Sequence, residues 1–214
     1  MPQLQTGIRV ARTFQALEQR ANPRRPNQPE AVPWILYDTQ TYVDNSTTEL
    51  TFFAAGQSDR SLSNLATAGS LPHPNFFELH YVMLDVIPTA ATAWVTTAAG
   101  GVAGILDDLG MLLVSGRGFW TLTLSDKDWG PFPVQALHGS GGPTGGGWGT
   151  FTAEESLQFA NNSIPDGGFH VGGTLIIPPK VGFRMTMRWP AAVNLTADYR
   201  LRLNLLGFMY RWVA

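Results

Sequence analysis

From Val181 to Val213 the chain alternates apolar and polar residues in two successive runs, and an alternation of period two commits those residues to half-buried strands. In the first run Val181, Phe183, Met185, Met187 and Trp189 share one face, and Gly182, Arg184, Thr186 and Arg188 share the other. In the second, Tyr199, Leu201, Leu203 and Leu205 oppose Arg200, Arg202 and Asn204, but beyond Gly207 the large residues are Phe208, Tyr210 and Trp212. The apolar set has moved from odd to even positions. A one-residue slip turns every later side chain to the wrong face unless an extra residue is absorbed locally, as a glycine in a β-bulge can do. The pattern therefore predicts one long bulged strand from Asp198 to Val213.

A chain of 214 residues suits one large all-β domain preceded by an arm. Only 14% of residues are charged, well below the usual quarter or so, and 23 glycines and 15 prolines supply turns rather than helix interiors. A surface so poor in charge points to neighbours. The net charge of -2 gives no overall pull toward nucleic acid or anionic membrane. Without cysteine there is no disulfide framework, thiolate nucleophile or cysteine metal site. The segment MPQLQTGIRVARTFQALEQR lacks the apolar centre of a signal peptide, and nowhere do 18 apolar residues run together, so the expectation is a soluble chain with no export signal or transmembrane segment. The N-x-S/T sequons at Asn45, Asn161 and Asn194 then read as chance occurrences.

Residues 1–30 form the expected arm and linker, and 31–214 the sandwich domain. The arm holds Arg9, Arg12, Arg20, Arg24 and Arg25, closes on the Pro-rich NPRRPNQPEAVP, and carries Ile8, Val10, Ala11, Phe14 and Leu17 as one stripe of a short helix. The plain reading is a frayed or partner-ordered terminus; the sharper one is a basic arm on nucleic acid or lipid. Trp34 to Val43 and Thr48 to Phe53 read as the first two strands, followed by a long polar connection to Pro74. In FFELHYVMLDVI (Phe76 to Ile87) apolar residues fall on both faces, which predicts burial on both sides. Val102, Ile105, Leu106, Leu109, Leu112 and Leu113 recur at helical spacing before Gly116, the best helix candidate in the chain. Trp120 to Ser125 alternates again, and the turn SDKDWG leads into PFPVQAL as a hairpin. The glycine-rich loop after His138, a capping box at Thr152 and Glu155, and the strand FHVGGTLIIPP complete the series. About eight strands with one inserted helix, at these spacings, predict a two-sheet antiparallel sandwich.

Catalytic chemistry is hard to assemble from these residues. His73, His80, His138 and His170 have no metal-ligand spacing, and His80 reads as a partly buried, hydrogen-bonded residue. The glycine run lacks the lysine of a phosphate-cradling loop, and no G-x-S-x-G elbow is present. Asp126 and Asp128 open like a calcium loop, but Gly130, Pro131 and Phe132 replace the ligands that should follow. Asp107 and Asp108 are adjacent and so cannot converge as an acid–base pair; they read as exposed helix charge. No catalytic, cofactor-binding or metal site is expected, and the chain reads as a non-enzyme. Trp120 and Trp189 lie in phase with core residues, whereas Trp129 and Trp148 fall in a turn and a glycine-rich loop, where an exposed ring would mark a contact.

The order of WILYDTQTYVDNSTTELTFF, NLATAGSLPHPNFFELHYVMLDV, FWTLTLSDKDWGPFPV, GTLIIPPKVGFRM and YRLRLNLLGFMYRWV, spanning about Trp34 to Val213, resembles the jelly-roll capsid proteins of icosahedral, tailless and often membrane-containing bacteriophages. That resemblance implies a single jelly roll of eight strands with the helix inserted and the arm in front. It implies a structural virion protein, made in the host cytoplasm, whose partners are other copies of itself. A second coat or vertex protein and an interior viral membrane are further partners it allows; sequence-specific nucleic acid and a small-molecule substrate are not expected. Arg9, Arg12, Phe14, Arg20, Arg24 and Arg25 would belong to an arm clamping a neighbour, and Trp129 and Trp148 to loop contacts. The alternative is a carbohydrate- or host-receptor-binding β-sandwich, monomeric or trimeric, with Trp129 or Trp148 flanking a polar groove.

Overall fold

A computed structural model describes residues 29–56, 59–89, 105–137 and 168–212. They form two four-stranded antiparallel sheets. The strands are β1 (Pro29–Tyr42), β2 (Glu49–Phe52), β3 (Phe76–Pro88), β4 (Phe119–Leu124), β5 (Lys127–Pro133), β6 (Phe169–Ile177), β7 (Phe183–Arg188) and β8 (Tyr199–Trp212). One sheet has the order β1-β8-β3-β6 and the other β2-β7-β4-β5. The all-β sandwich expected from the alternation is present. Its core takes the apolar face of each strand: Leu36, Tyr42, Phe77, Leu79, Val82, Leu84, Leu201, Leu203 and Leu205 from the first sheet, and Phe52, Trp120, Leu122, Met185 and Met187 from the second, all buried.

The phase changes in β3 and β8 have different causes from those the sequence suggested. β8 keeps one unbroken register with β1, from Pro29 opposite Trp212 to Tyr42 opposite Tyr199, so it carries no extra residue there. The bulge is in β3, where Leu79 opposes Gly207 and Tyr81 opposes Leu206, leaving His80 as the added residue. This shifts the buried positions of β3 from Phe77 and Leu79 to Val82 and Leu84 on a single core face, so its mixed pattern reflects a bulge and not burial on both sides. Gly207 is required for another reason. A Cβ there would lie 1.8 Å from the Glu78 carbonyl oxygen, so only glycine lets β3 come this close.

Strand boundaries differ in two more places. β1 begins at Pro29, inside the segment expected to be linker, and runs through Pro33. Proline is tolerated because β1 is an edge strand. Tyr37 N–H and C=O both bond Asn64, away from β8, so the odd positions of β1 point their backbone groups outward. Pro29 and Pro33 occupy that outward set, where no ladder donor is lost. Farther along, the loop after β2 closes the edge: the Asn64 side chain accepts from Tyr37 N–H and donates to Ile35 C=O, Tyr37 Oη donates to Arg60 C=O, and Asp38 bridges Ser63. That loop is polar in sequence yet anchored by buried Leu65 and Leu71. The hairpin turn is also tighter than expected. Leu124 pairs Lys127 around Ser125 and Asp126, with Ser125 at φ 58°, and VQAL forms a 3-10 turn instead of strand.

The helical segment is α1 (Ile105–Gly110), continued by a π-helical turn over Met111–Ser115, whose last carbonyl contact is Gly116 N–H to Met111 C=O. Leu112 is buried, and Trp189 Nε1 donates to its carbonyl at 3.0 Å, which closes one end of the sandwich. Asp108 is not the exposed helix charge expected. It is 3% exposed and accepts from Thr196 N–H and Oγ1 and from Tyr199 Oη. Burial, reinforced by this carboxylate, holds the Tyr199 phenol well above its ordinary range, and burial also raises that of Tyr42.

Candidate interaction surface

Residues directly opposite on an antiparallel pair share a face, so the register defines what each sheet presents outward. On the β2-β7-β4-β5 sheet the outward rows are mostly polar, the exception being partly exposed Phe119, which stands opposite Arg188 and Pro133. Glu49 opposes Arg188, with Arg188 Nε donating to Glu49 Oε2 at 2.7 Å; Thr51, Thr186 and Thr121 form the next row; and Thr123 Oγ1 donates to Asp128 Oδ1 at 2.7 Å.

The β1-β8-β3-β6 sheet is divided. Toward the Tyr42 and Tyr199 end its outward rows are polar. Arg202 stands 5.2 Å over the Tyr37 ring and bonds Thr39 Oγ1 and Ser61 C=O, and Asn204 Nδ2 donates to Asp85 Oδ2 at 2.8 Å. Toward the Pro29 and Trp212 end they become apolar. Ala31, Tyr210 and Phe76 make one row, Pro33, Phe208, Glu78 and Ile176 a second, and Ile35, Leu206, Tyr81 and His170 a third. Ile35 is 49% exposed and Ile176 48%, while Leu206, Tyr81 and Phe76 are partly exposed.

This surface is internally ordered. Phe76 stacks on Tyr210 with ring centroids 4.4 Å apart and planes 7° from parallel. The bulge places His80 edge-on to Phe208, at 5.5 Å, and against Glu78, at 3.1 Å, as a partly buried and hydrogen-bonded residue. Glu78 Oε2 accepts from Tyr210 Oη at 2.6 Å. The one carboxylate in these rows is thus held by Tyr210 and His80, and Phe208 packs beneath them, 6% exposed. Phe208 and Tyr210 are the residues whose change of phase had been assigned to a bulge. The change of phase is visible in the sequence, but only the unbroken register with β1 shows that it marks a second face of β8.

Of the residues singled out beforehand, Trp120 and Trp189 are buried in the core, as expected. Trp129 is not in a turn: it lies in β5 opposite Leu122 and packs half-buried against the core. The contact residues Arg9, Arg12, Phe14, Arg20, Arg24, Arg25 and Trp148 lie outside the described residues, as do the glycine-rich loop and the capping box. Among the described residues no group of three His, Asp or Glu side chains is arranged to hold a metal, and no helix is long and apolar enough to cross a membrane. No family model, curated protein or solved structure matches the chain.

Proposed function

We propose that this chain is a jelly-roll subunit of an icosahedral phage shell, a structural protein that assembles with copies of itself. Nested pairing supports the jelly-roll reading: β1 with β8, β2 with β7, β3 with β6 and β4 with β5, as one long antiparallel hairpin gives when it is rolled into two sheets. The observation that carries the structural role is the set of apolar rows on one outer face of a sandwich whose other outer face is polar apart from Phe119 and Pro133 at one end. A monomer gains nothing from half-exposed Ile35 and Ile176 on a flat sheet, whereas a lateral contact would bury them. A low fraction of charged residues suits the same role.

Light scattering and negative-stain imaging of the purified chain at rising concentration test this reading. Large regular particles, flat lattices or ring-shaped capsomers are the expected result. A persistent monomer or trimer that binds a glycan would replace the proposal with the recognition module.

A further inference from the structure

We infer that the apolar rows are the acceptor for the N-terminal segment, residues 1–28, of a neighbouring copy, an inference that rests on the reading of the chain as an assembling subunit. The rows end where this segment begins. Pro29 opposes Trp212, just beyond the row of Ala31, Tyr210 and Phe76, so the point to which the first 28 residues connect lies at the margin of the apolar surface. The segment brings matching chemistry, with Ile8, Val10, Phe14 and Leu17 spaced to present one apolar stripe. Its arginines would project from the other side of that stripe, leaving the Glu78 carboxylate, already held by Tyr210 and His80, undisturbed.

The prolines favour a neighbour's surface over the segment's own. Pro23, Pro26 and Pro29 fix their own φ and bias the residues before them to extended backbone, which opposes the reversal that folding back would need. Eleven residues of extended chain, 18–28, would span roughly 34 Å, against roughly 20 Å from Pro29 to Ile35 along β1, enough for the stripe to reach beyond the rows of its own sheet. Strand addition at β1 is disfavoured, because Pro29 and Pro33 remove two outward donors and Asn64 occupies the outward Ile35 C=O and the Tyr37 N–H and C=O. The contact is face-on, side chain to side chain.

The absence of cysteine makes the test direct. Full-length Phe14→Cys is mixed with mass-tagged full-length Ile35→Cys or Ile176→Cys under mild oxidation, and Arg184→Cys, on the opposite sheet, serves as the control. Mixed disulfides with Ile35→Cys and Ile176→Cys, about tenfold or more above the control, are expected, since docking raises the local concentration of the two thiols. A bond that forms only within one chain, in the Phe14→Cys/Ile35→Cys double variant, would overturn the neighbour assignment. Light scattering on the same samples separates this inference from the shell reading. Regular particles without the mixed disulfide would overturn the docking alone; the disulfide without regular particles would leave docking standing and remove the shell; neither would overturn both.

Discussion

The two outer faces of this sandwich come from strands of similar composition and end with opposite character. On the β2-β7-β4-β5 face, β2, β4 and β7 alternate, and threonines, an ion pair and a Thr–Asp bond meet the solvent. On the β1-β8-β3-β6 face the long strand β8 begins in the same way, with Arg202 and Asn204 outward beside Thr39 near the end of β1, and the outward rows turn apolar beyond Leu205 in β8 and before Leu36 in β1. The difference is one of length and local geometry. Four to seven residues suffice to span the core in β2, β4, β5 and β7, whereas β1 and β8 each run for fourteen. The added length is where the sheet presents aromatic residues outward, and the His80 bulge and Gly207 keep β3 in register beside it. Core burial accounts for one face of most strands, although Trp34 on the inner face of β1 is 45% exposed, and the second face is free to differ between the sheets.

The largest effect should come from breaking that geometry. Gly207→Ala places a methyl against the Glu78 carbonyl and is expected to cost about 3 kcal/mol or more, read by denaturant unfolding, because backbone on both sides must move. Next, Ile35→Asp with Ile176→Asp should leave the unfolding midpoint close to that of the parent while weakening association by roughly 2 kcal/mol, at least tenfold in the concentration at which scattering rises. Thr186→Asp on the polar face should change neither quantity. Equal effects on the two faces would end the comparison.

A third change lies beneath both faces. Tyr199→Phe removes a donor from buried Asp108 and should lower stability by about 1–2 kcal/mol without altering association. The same phenol gives a pH signature. Its folded pKa is raised above the ordinary 10.0, so its contribution is complete below pH 10 and is lost as pH climbs from there toward the folded value. The Phe variant should show a shallower alkaline loss than the parent in unfolding followed by circular dichroism. Smallest of all, Glu49→Gln breaks an exposed ion pair and should cost at most about 0.5 kcal/mol, less in high salt.

Much of the sandwich was legible because period two survives through most of β4, β7 and β8. The outer surface was not, for a physical reason. A phase change in one strand has three origins, a bulge in that strand, a bulge in its neighbour, or a second apolar face, and only pairing distinguishes them. In β3 the cause is its own bulge at His80; in β8 it is a second face. Asp108 was misread similarly, since a carboxylate on a short helix looks solvated until Thr196 and Tyr199, about ninety residues later, converge on it. The long connection after β2 reads as featureless because Asn64 closes an edge rather than following a periodicity. Trp129 carried too little context, as a tight turn at Ser125 and Asp126 moved it from loop to strand.

The prolines at 29 and 33 also govern what happens when many copies crowd together. A fourteen-residue edge strand would ordinarily be a template on which other chains could polymerise without limit. Here two of the four outward positions over its first half are prolines without a donor, and Asn64 with its loop occupies the outward backbone next to them. Along this edge crowding is then steered away from strand addition and toward contacts between finished surfaces, which leave each subunit folded.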